Sequence, residues 1–176
     1  MKTVFTVTFF VCMMLIASIA WSEIVYVNGT TGDDATGERG NPDKPFKTIQ
    51  KGIDVAVSGE DTVLVANGTY TGAGNKNLDF KGKAITVTSE NGAENCIIDC
   101  EGDGRGFYFH SGETEASVVN GFTITNGSSA WDGGGIACNE SSPTIQNNEI
   151  IENVAYFDGG GIFSGLLRHN KKQCDN

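Results

Sequence analysis

The chain has 176 residues and a formal charge of −10. A chain this acidic repels phosphate backbones and anionic lipid, which excludes nucleic acid as a natural partner. Its 24 glycines follow no three-residue period, which excludes collagen.

The elements run in order from a targeting segment. Met1-Lys2 carries one positive charge, Val4 to Ala20 is apolar except for Thr6, Thr8 and Ser18, and Ala20-Trp21-Ser22 offers small residues to a signal peptidase. Residues 1–22 are therefore expected to leave as a signal peptide. The run is shorter than the ~20 residues that span a bilayer, so cleavage is preferred over an anchor. The mature chain is expected to be secreted, extracellular or at the cell surface, with no membrane association after cleavage.

Glu23 to Asn28 alternates as a strand, and Gly29 to Asp43 is a polar, Gly-rich loop. Asp43 is placed to cap a helix with Pro45 in its first turn. Phe46, Ile49, Ile53 and Val57 follow at helical spacing, and Ser58-Gly59 ends the element. The expected N-terminal cap is residues 44–58.

From Asp61 to Gly165 the chain reads as short strands. Val63-Leu64-Val65, Ile85-Thr86-Val87 and Phe107-Tyr108-Phe109 recur at steps of 22, followed by Gly135-Ile136-Ala137 and Gly161-Ile162-Phe163. A second series, Ile97-Ile98, Phe122-Thr123-Ile124 and Ile150-Ile151, lies between them. The block Asp132-Gly133-Gly134-Gly135-Ile136 returns as Asp158-Gly159-Gly160-Gly161-Ile162, 26 residues on. A step of 27 also pairs Val118 with Ile145, Asn120 with Asn147, Ile124 with Ile151 and Asn126 with Asn153. A fixed period of this size makes each repeat one unit stacked on the next. Equivalent strands then stack in parallel about 4.8 Å apart. Ile97, Ile124 and Ile151 are expected to form an apolar column, and Asn120/Asn147 and Asn126/Asn153 to bond from rung to rung at the turns. An antiparallel sandwich explains the turn density but not the returning asparagines.

Several blocks resemble the secreted right-handed parallel β-helix proteins of the pectin-lyase-like superfamily. They are Asn41-Pro-Asp-Lys-Pro-Phe-Lys-Thr-Ile-Gln-Lys-Gly-Ile-Asp54, Glu60 to Tyr70, Arg105 to His110, Asn120 to Asn126 and Ser142 to Asn147. The resemblance implies an all-β, single-stranded right-handed coil over residues 23–165, rungs from 61, and the first block as a helix plugging its open end. One scaffold of this kind hosts many functions. Residues 166–176 lack the repeat signature and are expected to be an aberrant or truncated tail, the chain reading as a fragment of a longer protein, since relatives with this opening continue for more rungs.

Candidate chemistry is sparse. Asp132 and Asp158 share a phase, so their carboxylates would lie about 5 Å apart, close enough to recruit calcium. Asp before Gly also starts turns with no metal, and that reading is favoured, with no cofactor expected. Asp33-Asp34 and Glu101-Gly102-Asp103 are acidic loops of the same kind. Arg105 and the lysines from Lys76 to Lys83 are the candidate bases for a lyase, with a solvated turn arginine as the default. His110 and His169 show no nucleophile or metal-ligand spacing. Cys96 and Cys100, if extended, lie about 13 Å apart, beyond the ~7 Å of a disulfide, and read as unbridged thiols. Trp131, Tyr156 and Phe157 precede the two Asp-Gly-Gly-Gly blocks, either as packing or as a platform for sugar rings. The combined reading is a secreted repeat module that binds polysaccharide or sits at a cell surface, leaning away from catalysis. A polysaccharide lyase or glycoside hydrolase, and a structural spacer or adhesin stalk, are the alternatives.

Overall fold

Val25, Val63, Val87, Val119 and Ile145 occupy equivalent positions on five neighbouring strands. The four valines are fully buried and Ile145 packs against them from the last strand. That single file of side chains defines the architecture: the polypeptide winds about one axis and returns to the same phase on each turn. The computed structural model describes residues 22–59 and 61–165. The expected leader apart from Ser22, and the tail with His169 and Cys174, lie outside the described residues.

In chain order the elements are β1 (Ile24–Val27), α1 (Ile49–Val55), β2 (Thr62–Val65), β3 (Gly68–Tyr70), β4 (Thr86–Ser89), β5 (Cys96–Asp99), β6 (Phe107–Phe109) and β7 (Val118–Asn120). They continue as β8 (Thr123–Thr125), β9 (Ser128–Ser129), β10 (Ile136–Asn139), β11 (Thr144–Gln146), β12 (Glu149–Ile151), β13 (Val154–Ala155) and β14 (Ile162–Gly165). One wall of the coil is β1-β2-β4-β7-β11, the second β3-β5-β8-β12 and the third β6-β10-β14, with β9-β13 as a short fourth ribbon. Paired strands run parallel, so the expected parallel β-helix is the observed fold, in about four turns. The second wall contributes the column Tyr70/Ile98/Ile124/Ile150, and the third Leu78/Phe107/Ile136/Ile162. Between them Phe80, Phe107, Phe109 and Phe122 fill the interior, with ring centroids 4.9–6.2 Å apart, the spacing of favourable aromatic pairs.

The helix begins later than its sequence signals suggest. Thr48, not Asp43, is the N-cap, its Oγ1 accepting from the Lys51 amide at 3.3 Å. Asp34 supports that cap by accepting from the Thr48 amide and hydroxyl. The segment before it is extended because Phe46 is drawn into a parallel bridge with Val27. The Phe46 amide donates to the Tyr26 carbonyl and its own carbonyl accepts from the Asn28 amide. Ile49, Gly52 and Ile53 then face Val25, Val27 and Val63, so α1 lies on the first turn. At Gly52 a Cβ would stand 2.7 Å from Val27 Cγ2 and 2.9 Å from Val63 Cγ1, which fixes a glycine at the closest approach.

Two register readings are corrected by the ladder. The repeat over the last two turns is 26, not 27: Ile124 faces Ile150 and Ile98 rather than Ile151 and Ile97. Ile98 and Ile124 are fully buried, whereas Ile151 is exposed and Ile97 half-buried. A slip of one residue sends a side chain to the opposite face of a strand. Likewise Val118 faces Thr144, and Ile145 faces Val119. The series that placed Val63, Phe107 and Ile136 in one file also divides, since Val63 belongs to the first wall and Phe107 and Ile136 to the third. The asparagines still tie rungs together, though not all in the expected pairs. Asn147 donates to Asn120 Oδ1 at 2.8 Å and Asn120 to Thr88 Oγ1 at 2.8 Å. Asn126 instead donates to Asp99 at 2.9 Å, and Asn153 Oδ1 accepts from the Gly127 amide at 2.7 Å.

Candidate functional site

The repeated Asp-Gly-Gly-Gly turn builds the most distinctive surface. On each of the last two turns a two-residue strand, β9 or β13, is followed by an outward loop that returns to β10 or β14. The loops are locked to each other by backbone bonds. The Tyr156 amide donates to the Ser129 carbonyl, and the Gly133, Gly134 and Ile136 amides donate to the carbonyls of Asp158, Gly159 and Gly161. Gly133 and Gly159 both adopt left-handed backbone, φ +69° and +66°, which reverses the chain at the same point on each turn. At Gly134 a Cβ would stand 2.3 Å from the Val154 carbonyl oxygen and 2.4 Å from that of Gly160. Gly134→Ala is therefore expected to destabilise the chain by about 1–3 kcal/mol through forced backbone displacement, read as a lowered urea midpoint with an unchanged slope.

This ladder projects three aromatic side chains outward. Trp131, Tyr156 and Phe157 are 68%, 78% and 59% exposed. Trp131 and Phe157 hold the same phase one turn apart, ring centroids 5.9 Å and planes 28° from parallel. Tyr156 meets Phe157 edge-on at 4.9 Å and 86°. The three exposed rings form a stepped apolar platform along the coil.

Asp132 and Asp158 follow the rings on both loops. Asp132 Oδ1 accepts from the Asp158 amide at 2.9 Å, so that carboxylate already serves the turn. Among the described residues no group of three or more His, Cys, Asp or Glu is arranged to hold a metal ion.

The candidate bases are engaged elsewhere. Arg105 donates to the Asp132 carbonyl at 3.0 and 3.1 Å and to Ser129 Oγ at 2.7 Å, and its guanidinium lies 5.0 Å over the Tyr108 ring. It braces the platform from behind. Lys76 pairs with Glu101 and Asp103. Lys81 pairs with Asp54. Lys83 donates to the carbonyls of Ile53, Asp54 and Ala56 at the end of α1, and desolvation there pulls its pKa below the ordinary lysine value. His110 Nε2 lies 3.5 Å from Asp79, with its ring against Tyr108.

A shallow open groove lies elsewhere, lined by Gly112 to Glu115, Glu140 and Ser142. Its buried carboxylate, Glu113, accepts from the Gly82 and Ser111 amides and the Ser141 hydroxyl. Burial works to raise its pKa, but those bonds outweigh it and hold the group below the usual glutamate value. Cys96, Cys100 and Cys138 are buried; Cys96 and Cys100 are unbridged, and burial pushes their thiols up to about 12, so these two are packing groups rather than nucleophiles. No described helix is long and apolar enough to cross a membrane.

Sequence reasoning missed one feature of this flank. Residues 106–165 contain seven Asp and Glu but no Lys or Arg, so among the described residues Arg105 is the cation that reaches the turns bearing the platform. A charge count by segment would have found it.

A family model described as a protein of unknown function, DUF1565, matches residues 30–78. That stretch contains the loop after β1, the Phe46 bridge, α1, β2 and β3. Together with the coil it fits a parallel β-helix repeat protein. No curated protein and no solved structure matches the chain.

Proposed function

We propose that this chain is an exported module of the pectin-lyase-like kind that binds polysaccharide without cleaving it. The observation that carries this reading is the platform itself. Trp131, Tyr156 and Phe157 leave most of their surface in water, with Trp131 and Phe157 in phase on consecutive turns whose loops are joined by a backbone ladder. Ordinary folding buries such side chains, and sugar rings present apolar faces that stack on aromatic planes. Export rests on the leader read in residues 1–22.

A lyase or hydrolase is the weaker reading for these turns. Lyase chemistry needs a base able to reach a sugar proton, and Arg105, Lys76, Lys81 and Lys83 are each held by structural partners. A spacer or stalk has no use for an exposed aromatic ladder.

The test is a glycan array probed with the full chain and with Trp131→Ala. Loss of one central aromatic anchor is expected to weaken glycan binding about tenfold or more, with the melting temperature unchanged because the side chain is exposed. Binding that ignores the substitution would remove the platform from the account. Release of unsaturated sugars from pectate, alginate or xylan, with or without calcium, would overturn the non-catalytic reading.

A further inference from the structure

The carbohydrate reading leaves the class of glycan open, and the charges around the platform narrow it. On consecutive turns each stacked ring, Trp131 and Phe157, is followed directly by an aspartate, Asp132 and Asp158. Asp132 gives one oxygen to the Asp158 amide, and among the described residues neither carboxylate is ion-paired. The cation that reaches this turn, Arg105, points its guanidinium at a carbonyl, a hydroxyl and the Tyr108 ring rather than at solvent ligand. The same turns contribute no Lys or Arg between residues 106 and 165.

We propose that the platform is selective for a cationic amino-sugar polymer, a glucosamine-type chain lying along the coil axis, and rejects uronate polymers. This rests on the carbohydrate reading given above. A chain in that direction meets one aromatic ring per turn, because Trp131 and Phe157 are near parallel at 5.9 Å. Its ammonium groups gain from the faces of the rings and from charge-assisted hydrogen bonds to Asp132 and Asp158. A uronate chain sets its own carboxylates against the same two residues, and among the described residues the cation nearest them, Arg105, is already bonded to Ser129 and the Asp132 carbonyl. Uronate polymers are thus the ligands that these aspartates repel.

Calorimetry of the full chain with three hexamers, of glucosamine, of β-1,4-linked glucose and of galacturonate, tests this. The glucosamine hexamer is expected to bind about tenfold or more tighter than the glucose hexamer, and to lose that advantage at high salt. The galacturonate hexamer is expected not to bind, with or without calcium. Asp132→Asn combined with Asp158→Asn should bring the glucosamine hexamer down to the glucose level while the melting temperature holds. Glucose binding equal to glucosamine, or any galacturonate binding, or indifference to the double substitution, overturns the charge selectivity and leaves the sugar platform standing. If no hexamer binds, the platform reading fails and this inference fails with it.

Discussion

Phe107→Ala is expected to destabilise the protein by about 3–5 kcal/mol and to lower its melting temperature by roughly 10 °C. Phe107 is fully buried at the meeting point of the walls. It faces Ile136 on the next turn and bridges to Leu78 on the preceding one, and its ring packs on Phe80, Phe109 and Phe122. In a solenoid each turn contacts only its neighbours, so a cavity here separates the first two turns from the last two. Tyr156→Ala is the matching control: a large aromatic is lost from the outer surface, and the stability change should stay within about 0.5 kcal/mol. Chemical denaturation of both variants reads the contrast directly.

The second large effect lies at the helical end. Asp61 is buried and ties three segments together, accepting from Arg39 at 2.5 and 2.7 Å, from the Val57 amide at 2.8 Å and from the Glu23 amide at 3.1 Å. Asp61→Ala strands two amides and removes the main partner of Arg39. Breaking such a buried pair costs about 3–5 kcal/mol. About 3 kcal/mol is expected here, because Arg39 keeps Glu23 at 3.0 Å. The same carboxylate makes stability depend on pH. Burial works to raise its pKa, but Arg39 and the two amides prevail and hold it below the ordinary aspartate value. The unfolded chain then binds the proton first, so this stabilisation is present above about pH 4 and is lost as the pH falls through the depressed folded value. Glu113, also depressed, adds to the loss in the same direction. Urea midpoints measured from neutral pH into acid should fall along this course, and the fall should be shallower in the Asp61 variant.

Periodicity made the coil legible because stacking in parallel forces equal phases, and the Asp132 and Asp158 blocks returned at the true spacing of 26. The neighbouring 27-residue pairing misled for a physical reason. Asn147 occupies the turn position of Gly121, not that of Asn120, and both have left-handed backbone, φ +55° and +80°. Glycine and asparagine are the residues that tolerate that conformation, so an asparagine replaced a glycine and shifted the apparent register by one. The doublets Ile97-Ile98 and Ile150-Ile151 offered no correction, since either isoleucine fits an apolar column until the alternation of faces chooses. The helix start failed similarly. Asp43 and Pro45 carry a capping residue and a first-turn proline, and Thr48 is a second capping residue; what chooses Thr48 is the bridge between Phe46 and Val27, a contact across the loop that local signals do not encode. At the candidate site the aromatics were visible as residues, whereas their exposure depends on a turn that only the stacked glycines position.

Nuclear Overhauser spectroscopy on isotope-labelled protein tests the winding most directly. Parallel pairing in the observed register predicts interstrand Hα–amide cross-peaks that place Ile98 beside Ile124 and Ile124 beside Ile150. Cross-peaks aligning Ile97 and Ile151 with Ile124, or the close Hα–Hα contacts of antiparallel strands, would contradict the coil, and with it the alignment of Trp131 over Phe157.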